Sequence, residues 1–471
     1  MTVDHDTLPS AAILPTALAT NAWTGERAAA GELVTRPAGW IVPTMPRVTQ
    51  LMRPPRPADP TDPTDCRVGW ALVLPARDND ADDLAHARDA EQPLQDLLAH
   101  RGPAAKVLRY RPDYGHIALF EADGTPVPTS GAAQGVAPGC LPRYLLLAAG
   151  PDVLPWALQY TLAAVCAVGR LHLTGLPLGR YVEALRRNSP VGPARYGAPL
   201  VWAVDHGDGD ITALMRTLIA QTIYDDFRAD SEMRAATLLD GSRATTDGLS
   251  LALATGDPAL VVTTSHGMTG PLTDAAMLRR DLGLPVDTLR SIVTADEVLT
   301  AWAPNGAVWY SHACCSAGSD SPSAYTGLLD PQSDVHAVLT AVANLGPTVA
   351  PLPTALLGAA EPVRAFIGHV EPTFDWTIEF PWTRTALTAS IRTALYHGIS
   401  RGEPVGYAMQ QVWRDIGPLR QAHADAVRLY EDEPDQARRG LTAALYCRLA
   451  ASDRAGTVVL GDPAARLPLP N

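Results

Sequence analysis

The sequence lacks any CxxC pair or regular cysteine framework, because its six cysteines stand scattered at positions 66, 140, 166, 314, 315 and 447. A disulfide scaffold is therefore not expected, and a special cysteine is expected to be chemical rather than structural. No apolar run approaches the roughly 18 residues of a membrane span. Met1 to Ser10 carry Asp4 and Asp6 and no apolar stretch. Neither a secretory signal nor a membrane contact is expected, and the location inferred is cytoplasmic. Cationic excess is missing as well: Lys and Arg total 37 against 50 acids, a net charge of -13. That balance argues against a nucleic-acid partner, whose phosphates call for a concentrated basic face. There is no repeat of fixed period and no GxxxxGK[ST] or strand-anchored GxGxxG, so solenoids, propellers and phosphate-loop nucleotide sites find no support.

What is present is the text of a large globular α/β protein. Apolar residues make up 46% and charged residues 18% of 471 positions, enough for two to three domains or one enlarged domain. Residues 1–65 end in a proline-rich run, Pro54-Pro55-Arg56-Pro57-Ala58-Asp59-Pro60, and read as an extended arm or linker. Residues 66–195 read as an N-terminal α/β subdomain: a buried strand at Trp70 to Leu74, helical periodicity over 82–101, a strand at Tyr144 to Ala148 and a helical stretch from Trp156 to about Val168. Residues 196–471 read as a second alternating block with strands at 198–204, 236–239, 258–264 and 307–311. Helices are expected at 211–228, 274–282 and 294–303, a possible strand at Thr348 to Leu352, an apolar run at Val363 to Ile367, three helical stretches between 383 and 453, and a closing strand at 457–460. Such alternation predicts a mainly parallel sheet covered by helices on both faces.

Reactive groups in open α/β sheets collect beyond the carboxyl ends of neighbouring strands. Two predicted strands end in reactive pairs. Leu260 to Thr264 runs into Ser265-His266-Gly267, and Ala307 to Ser311 runs into His312-Ala313-Cys314. Cys314 lies 48 residues downstream of His266 (314 − 266), room for a crossover back to a parallel strand.

An apolar strand ending in His-Gly, followed by a second ending in Ala-Cys, resembles the caspase-like cysteine peptidases, the group of caspases, legumains, gingipains, separases and bacterial CHAT domains. Val458-Val459-Leu460-Gly461-Asp462-Pro463 looks like the closing strand and turn of CHAT and gingipain-like domains, and Pro142 to Leu147 with Pro155 like a gingipain-type segment. The resemblance covers about residues 140–467 and implies a caspase-like fold. It implies a cysteine endopeptidase with Cys314 as nucleophile and His266 as general base, and an oxyanion hole from the N–H groups of Gly267 and Cys314. It requires no third triad member, metal or organic cofactor. A protein or peptide substrate is implied, with an activating partner protein as a further option and regulated proteolysis or bacterial defence as the setting. The residue types suit the chemistry: a thiol of pKa about 8.5 needs a nearby imidazole to form the thiolate and protonate the leaving amine. Gly267 has no Cβ to block its N–H from a substrate oxygen.

Alternatives stay open at several positions. His312 occupies a place that lines the primary specificity pocket in relatives, where acids or amides are familiar, or it hydrogen-bonds within the strand end. Asp320 either selects a basic substrate residue or is a solvated loop aspartate. Cys315, pointing away from Cys314 on an extended strand, is read as packing. His206, in a second His-Gly pair after the strand at 201–204, is the fallback base, and His397-Gly398 lies in helical text. A zinc site from His266, His312, Cys314 and Cys315 has suitable ligand types but unsuitable spacing. From another class, a catalytically silent scaffold would keep the fold without turnover.

Overall fold

In the computed structural model, residues 57–112, 119–187 and 194–468 are described; positions 1–56 of the expected arm lie outside them. Among the described residues a single sheet of twelve strands organises the protein. The strands are β1 (Trp70–Pro75), β2 (Ala105–Tyr110), β3 (Leu119–Phe120), β4 (Pro126–Val127), β5 (Tyr144–Leu147), β6 (Ala167–Arg170), β7 (Leu200–Ala203), β8 (Thr237–Asp240), β9 (Leu260–Thr264), β10 (Val308–His312), β11 (Ala365–His369) and β12 (Thr457–Gly461). Their spatial order is β4-β3-β2-β1-β5-β6-β12-β11-β10-β9-β7-β8. The pairs within β2-β1-β5-β6 and within β11-β10-β9-β7-β8 are parallel. The last strand, β12, lies antiparallel to β11 and bridges to β6 through Leu460 and Arg170. Strands from residues 66–195 and from 196–471 thus share one sheet, with the chain's final strand between them.

The fold class read from the sequence is the one observed: α/β, mostly parallel, helices on both faces. Strand alternation explains it. Trp70, Leu72 and Leu74 face one side and Ala71 and Val73 the other; Trp309 opposes Val308 and Tyr310 in the same way. The Trp70–Trp309 side is one core spanning the sheet from Leu72 to Trp202, whereas the opposite side is divided between a cluster around Val73 and Leu145 and another around Val262 and Ile367. Strands buried on both faces read as continuous apolar runs, and for this reason they were legible.

Several elements differ from expectation. The helix beginning at Trp156 stops at Ala163 and the following apolar text is β6; a short apolar run carries no signal that separates helix from buried strand. The expected strand at Thr348 to Leu352 pairs over Thr348–Val349 alone, because Pro351 opens the helix Pro351–Leu357, a position that suits proline's missing N–H. The 82–101 stretch is two helices, Ala81–Ala85 and Gln92–Arg101.

The turn after β12 fastens the two parts of the sheet. Asp462 is fully buried. It accepts hydrogen bonds from Trp70 Nε1 at 3.1 Å and from the Ala464 N–H at 2.9 Å, and it pairs with Arg101. Tyr181 joins the same knot, its hydroxyl donating to the Arg364 carbonyl at 2.6 Å and accepting from the Asp462 N–H at 2.7 Å. Asp462→Ala strands a buried indole N–H and a partly buried guanidinium, and is expected to lower the free energy of unfolding by about 2–3 kcal/mol, read by urea denaturation; a loss below about 0.5 kcal/mol would show that the knot is not holding the sheet.

Candidate active site

The register between β9 and β10 sets the site. Thr263 pairs with Ser311 and Thr264 with His312, so continuing two residues beyond each strand brings His266 and Cys314 to the same level at the carboxyl rim. The Ser265 N–H donates to the His312 carbonyl at 3.3 Å and extends the ladder one step further. Gly267 then packs directly on the next backbone: a Cβ built there would lie 1.9 Å from the Cys314 carbonyl oxygen. Only glycine fits at that approach. His266–Gly267 itself forms a short antiparallel ladder with Pro285–Val286.

His266 is half-buried, and its Nε2 bonds to Asp210 Oδ2 at 2.9 Å. Asp210 came into no sequence-based expectation. It is the N-cap of the helix beginning at Ile211, where its other oxygen accepts from the N–H of Thr212 at 2.9 Å and from the Thr212 hydroxyl at 2.5 Å. One carboxylate therefore caps a helix and orients an imidazole. Burial works against its charge, but the hydrogen bonds from Thr212 and His266 outweigh it and hold the carboxyl down to about 2. The capping position was legible as Asp before the apolar helix; its partner was not, since 56 residues separate Asp210 from His266.

His206 stacks on His266, ring centroids 5.4 Å apart and planes 11° from parallel. Its Nε2 bonds to the Asp287 carbonyl at 3.0 Å, and its Nδ1 is buried without a partner. Asp287 is itself buried and accepts from the N–H groups of Thr246, Leu289 and Ser291, which fixes the loop that presents its carbonyl.

Cys314 is half-buried, with Sγ 3.5 Å from the Thr373 carbonyl. Burial pushes its thiol up to about 11, so the resting sulfur is protonated. Among the described residues no hydrogen bond joins Cys314 to His266. Cys315 has a left-handed φ of 55° and is fully buried against Leu278, Leu282, Val342 and Leu345.

His312 is also fully buried. Its Nδ1 lies 2.9 Å from the Tyr310 hydroxyl and 3.3 Å from His369 Nε2, and the two imidazoles meet edge to face. Burial drives both histidines down to about 3, leaving a neutral pair of imidazoles at the end of β10. Cys315 and His312 thus lie in separate buried clusters, and the four ligands weighed for zinc from the sequence do not form a site. Asp320 is partly buried, its carboxyl raised by burial although the Ser321 N–H and Arg170 pull it down.

Glu371 was not anticipated. It sits at a φ of 69°, almost fully buried, with Oε1 unpartnered and Oε2 accepting from the Ala324 N–H at 3.0 Å. Burial raises its carboxyl to about 7. Its carbonyl accepts from the Cys315 N–H at 2.8 Å, and its side chain lines a 340 Å³ cavity with Tyr160, Tyr325, Arg420, His423 and Arg448. A non-glycine residue held in the left-handed region is the kind of strain that gathers at functional sites.

The architecture is that of an α/β protein with a thiol and an imidazole on adjacent parallel strand ends. No protein-family model matches the chain, and no curated protein matches it. Among solved structures, the separase–securin complex of Saccharomyces cerevisiae is similar at 13% identity and a TM-score of 0.35, over 68% of this chain and 15% of that one. The chain therefore spans under one sixth of that protein's length. No helix among the described residues is long and apolar enough to cross a membrane.

Two outcomes follow from this geometry. Gly267→Ala is expected to cost about 1–3 kcal/mol of stability through overpacking and to displace the Cys314 backbone, read as a changed alkylation rate of Cys314 relative to Cys447 in mass-spectrometric mapping. Asp210 has a folded pKa below its ordinary 3.8, so its charge stabilises the fold above about pH 4 and that contribution is lost as pH falls toward about 2. Urea unfolding should show Asp210→Asn less stable than wild type by up to about 2 kcal/mol near neutral pH, with the gap closing on acidification; a gap that does not narrow would mean the carboxylate charge contributes nothing.

Proposed function

We propose that the chain is a caspase-like cysteine endopeptidase in which Cys314 is the nucleophile and His266 the general base. The observation that carries this reading is the equal level of His266 and Cys314 beyond two register-matched parallel strands, with Gly267 in backbone contact with Cys314. A caspase-like arrangement, with residues 66–195 as an N-terminal subdomain on the sheet of a catalytic 196–471 domain, belongs to the same proposal.

The chemistry runs from the residues. With Nε2 held by Asp210, the other imidazole nitrogen is the one left to take the Cys314 proton. The thiolate attacks the scissile carbonyl carbon, and the N–H groups of Gly267 and Cys314 receive the negative oxygen. Collapse breaks the C–N bond, His266 returns the proton to the leaving amine, and a thioester remains on Cys314. Water, losing a proton to His266, then releases the acid and regenerates the thiol. Asp210 acts as a positioning residue through His266. A thiol raised by burial and turned toward the Thr373 carbonyl suits an enzyme that stays quiet until a protein substrate or an activating partner protein draws Cys314 and His266 together, as regulated proteolysis requires. Asp320 and Glu371 are the acidic groups proposed for substrate contacts, while His312 supports the floor beneath Cys314.

The raised thiol and the missing Cys314–His266 hydrogen bond also favour a second reading, a scaffold with the fold but no turnover. A diverse peptide library read by mass spectrometry decides between them. Cleavage by wild type, its loss in Cys314→Ala, a fall of about 10²–10⁴ in His266→Ala and survival in Cys315→Ala are expected; a kcat reduced about tenfold or more with little change in KM is expected for Asp210→Asn. Cleavage that persists in Cys314→Ala would exclude this nucleophile, and the absence of cleavage by wild type, even with cell extract as a source of activator, would favour the scaffold.

A further inference from the structure

The strongest unassigned chemistry lies where His206 and Asp210 meet His266. His206, Asp210 and His266 each offer one ligand atom, all within 4.8 Å of one another. The three come from two loops, 204–210 after β7 and 265–267 after β9, which the parallel pairing of these strands sets side by side. The set is two imidazoles and a carboxylate, a donor combination that zinc takes with one position left to water.

The decisive feature is the buried, unpartnered Nδ1 of His206. Its Nε2 faces the Asp287 carbonyl at 3.0 Å, an acceptor alone, so Nε2 carries the proton and Nδ1 presents a bare lone pair. A ligand histidine whose second nitrogen donates to a backbone carbonyl is the usual outer-sphere arrangement of metal sites. Asp287 is held rigid by the Thr246, Leu289 and Ser291 N–H groups, and Asp210 by Thr212, so two of the three ligands are oriented by the fold before any cation arrives. The two imidazoles stand near-parallel, centroids 5.4 Å apart, with one ligand atom of each within 4.8 Å of the other and of the Asp210 carboxylate.

We propose that His206, Asp210 and His266 form a binding site for a zinc-like divalent cation, and that its occupancy inhibits the peptidase by capturing the general base. The cation replaces the proton between His266 Nε2 and Asp210; an imidazole carrying a dication gives up its capacity to accept the Cys314 proton. The inhibitory consequence rests on the peptidase reading, whereas the site itself does not. It differs from the ligand set considered from the sequence, because it contains no sulfur.

The probe is Zn²⁺, titrated into the full chain against a chromophoric zinc chelator, with Co²⁺ spectra as a second measurement. One Zn²⁺ per chain is expected, weakened about tenfold or more in His206→Phe, which keeps the stacked ring and removes the nitrogen, and in Asp210→Ala, with folding of both checked by circular dichroism. Binding should persist in Cys314→Ala, and Co²⁺ should give tetrahedral bands without a thiolate charge-transfer band. Absence of binding by wild type, equal binding by folded His206→Phe, or a thiolate band would overturn the site. Peptide cleavage should be inhibited by Zn²⁺ in wild type and resist the same concentration in His206→Phe; equal inhibition of both would overturn the regulatory role. A chain that binds Zn²⁺ through these residues yet cleaves nothing would leave the site standing and defeat the peptidase reading instead.

Discussion

Everything at the rim depends on the pairing of Leu260–Thr264 with Val308–His312. A parallel register is sensitive to single-residue slips, since one step would exchange every inward and outward side chain of a strand buried on both faces. Val262 and Tyr310 on one side and Val261 and Trp309 on the other make that slip prohibitive. The apolar content of two short strands therefore fixes, through core packing alone, the level at which a thiol and an imidazole emerge 48 residues apart in the chain.

The loop after β7 adds a layer that the strands do not supply. Asp210 terminates a loop, begins a helix and holds His266, so the local requirement for a capped N-terminus and the remote requirement for an oriented imidazole are met by the same two oxygens. Economy of this kind couples the stability of the helix to the chemistry of the site. It also sets His206 beside His266, where the His206 Nδ1 is buried without a partner.

On the other flank, the segment after β11 packs against Cys314. The Thr373 carbonyl meets the Cys314 sulfur, the Glu371 backbone engages Cys315 and Gly318, and the buried pair of His312 and His369 forms a neutral floor. Burial sets the tone on this side: it lifts the thiol and Glu371 and depresses both histidines.

The sequence by itself determined the α/β class, the strands that run into His266 and Cys314, and the helix that starts at Ile211, because each is written in contiguous residues: apolar runs for strands buried on two faces and a capping aspartate before an amphipathic helix. Even there, the run at Ala167 to Arg170 hid a strand behind helical text, and Pro351 turned an expected strand into a helix. Only the tertiary structure decided that the closing strand lies between the two groups of parallel strands, that Asp210 and His206 lie against His266, and that Glu371 is buried against the Cys315 backbone. Asp210 and His206 are 56 and 60 positions from His266, and Glu371 is 56 from Cys315, and no local periodicity encodes a partner at that distance. Hydrogen bonds and burial between remote segments are products of sheet order, and sheet order is settled by the whole core at once.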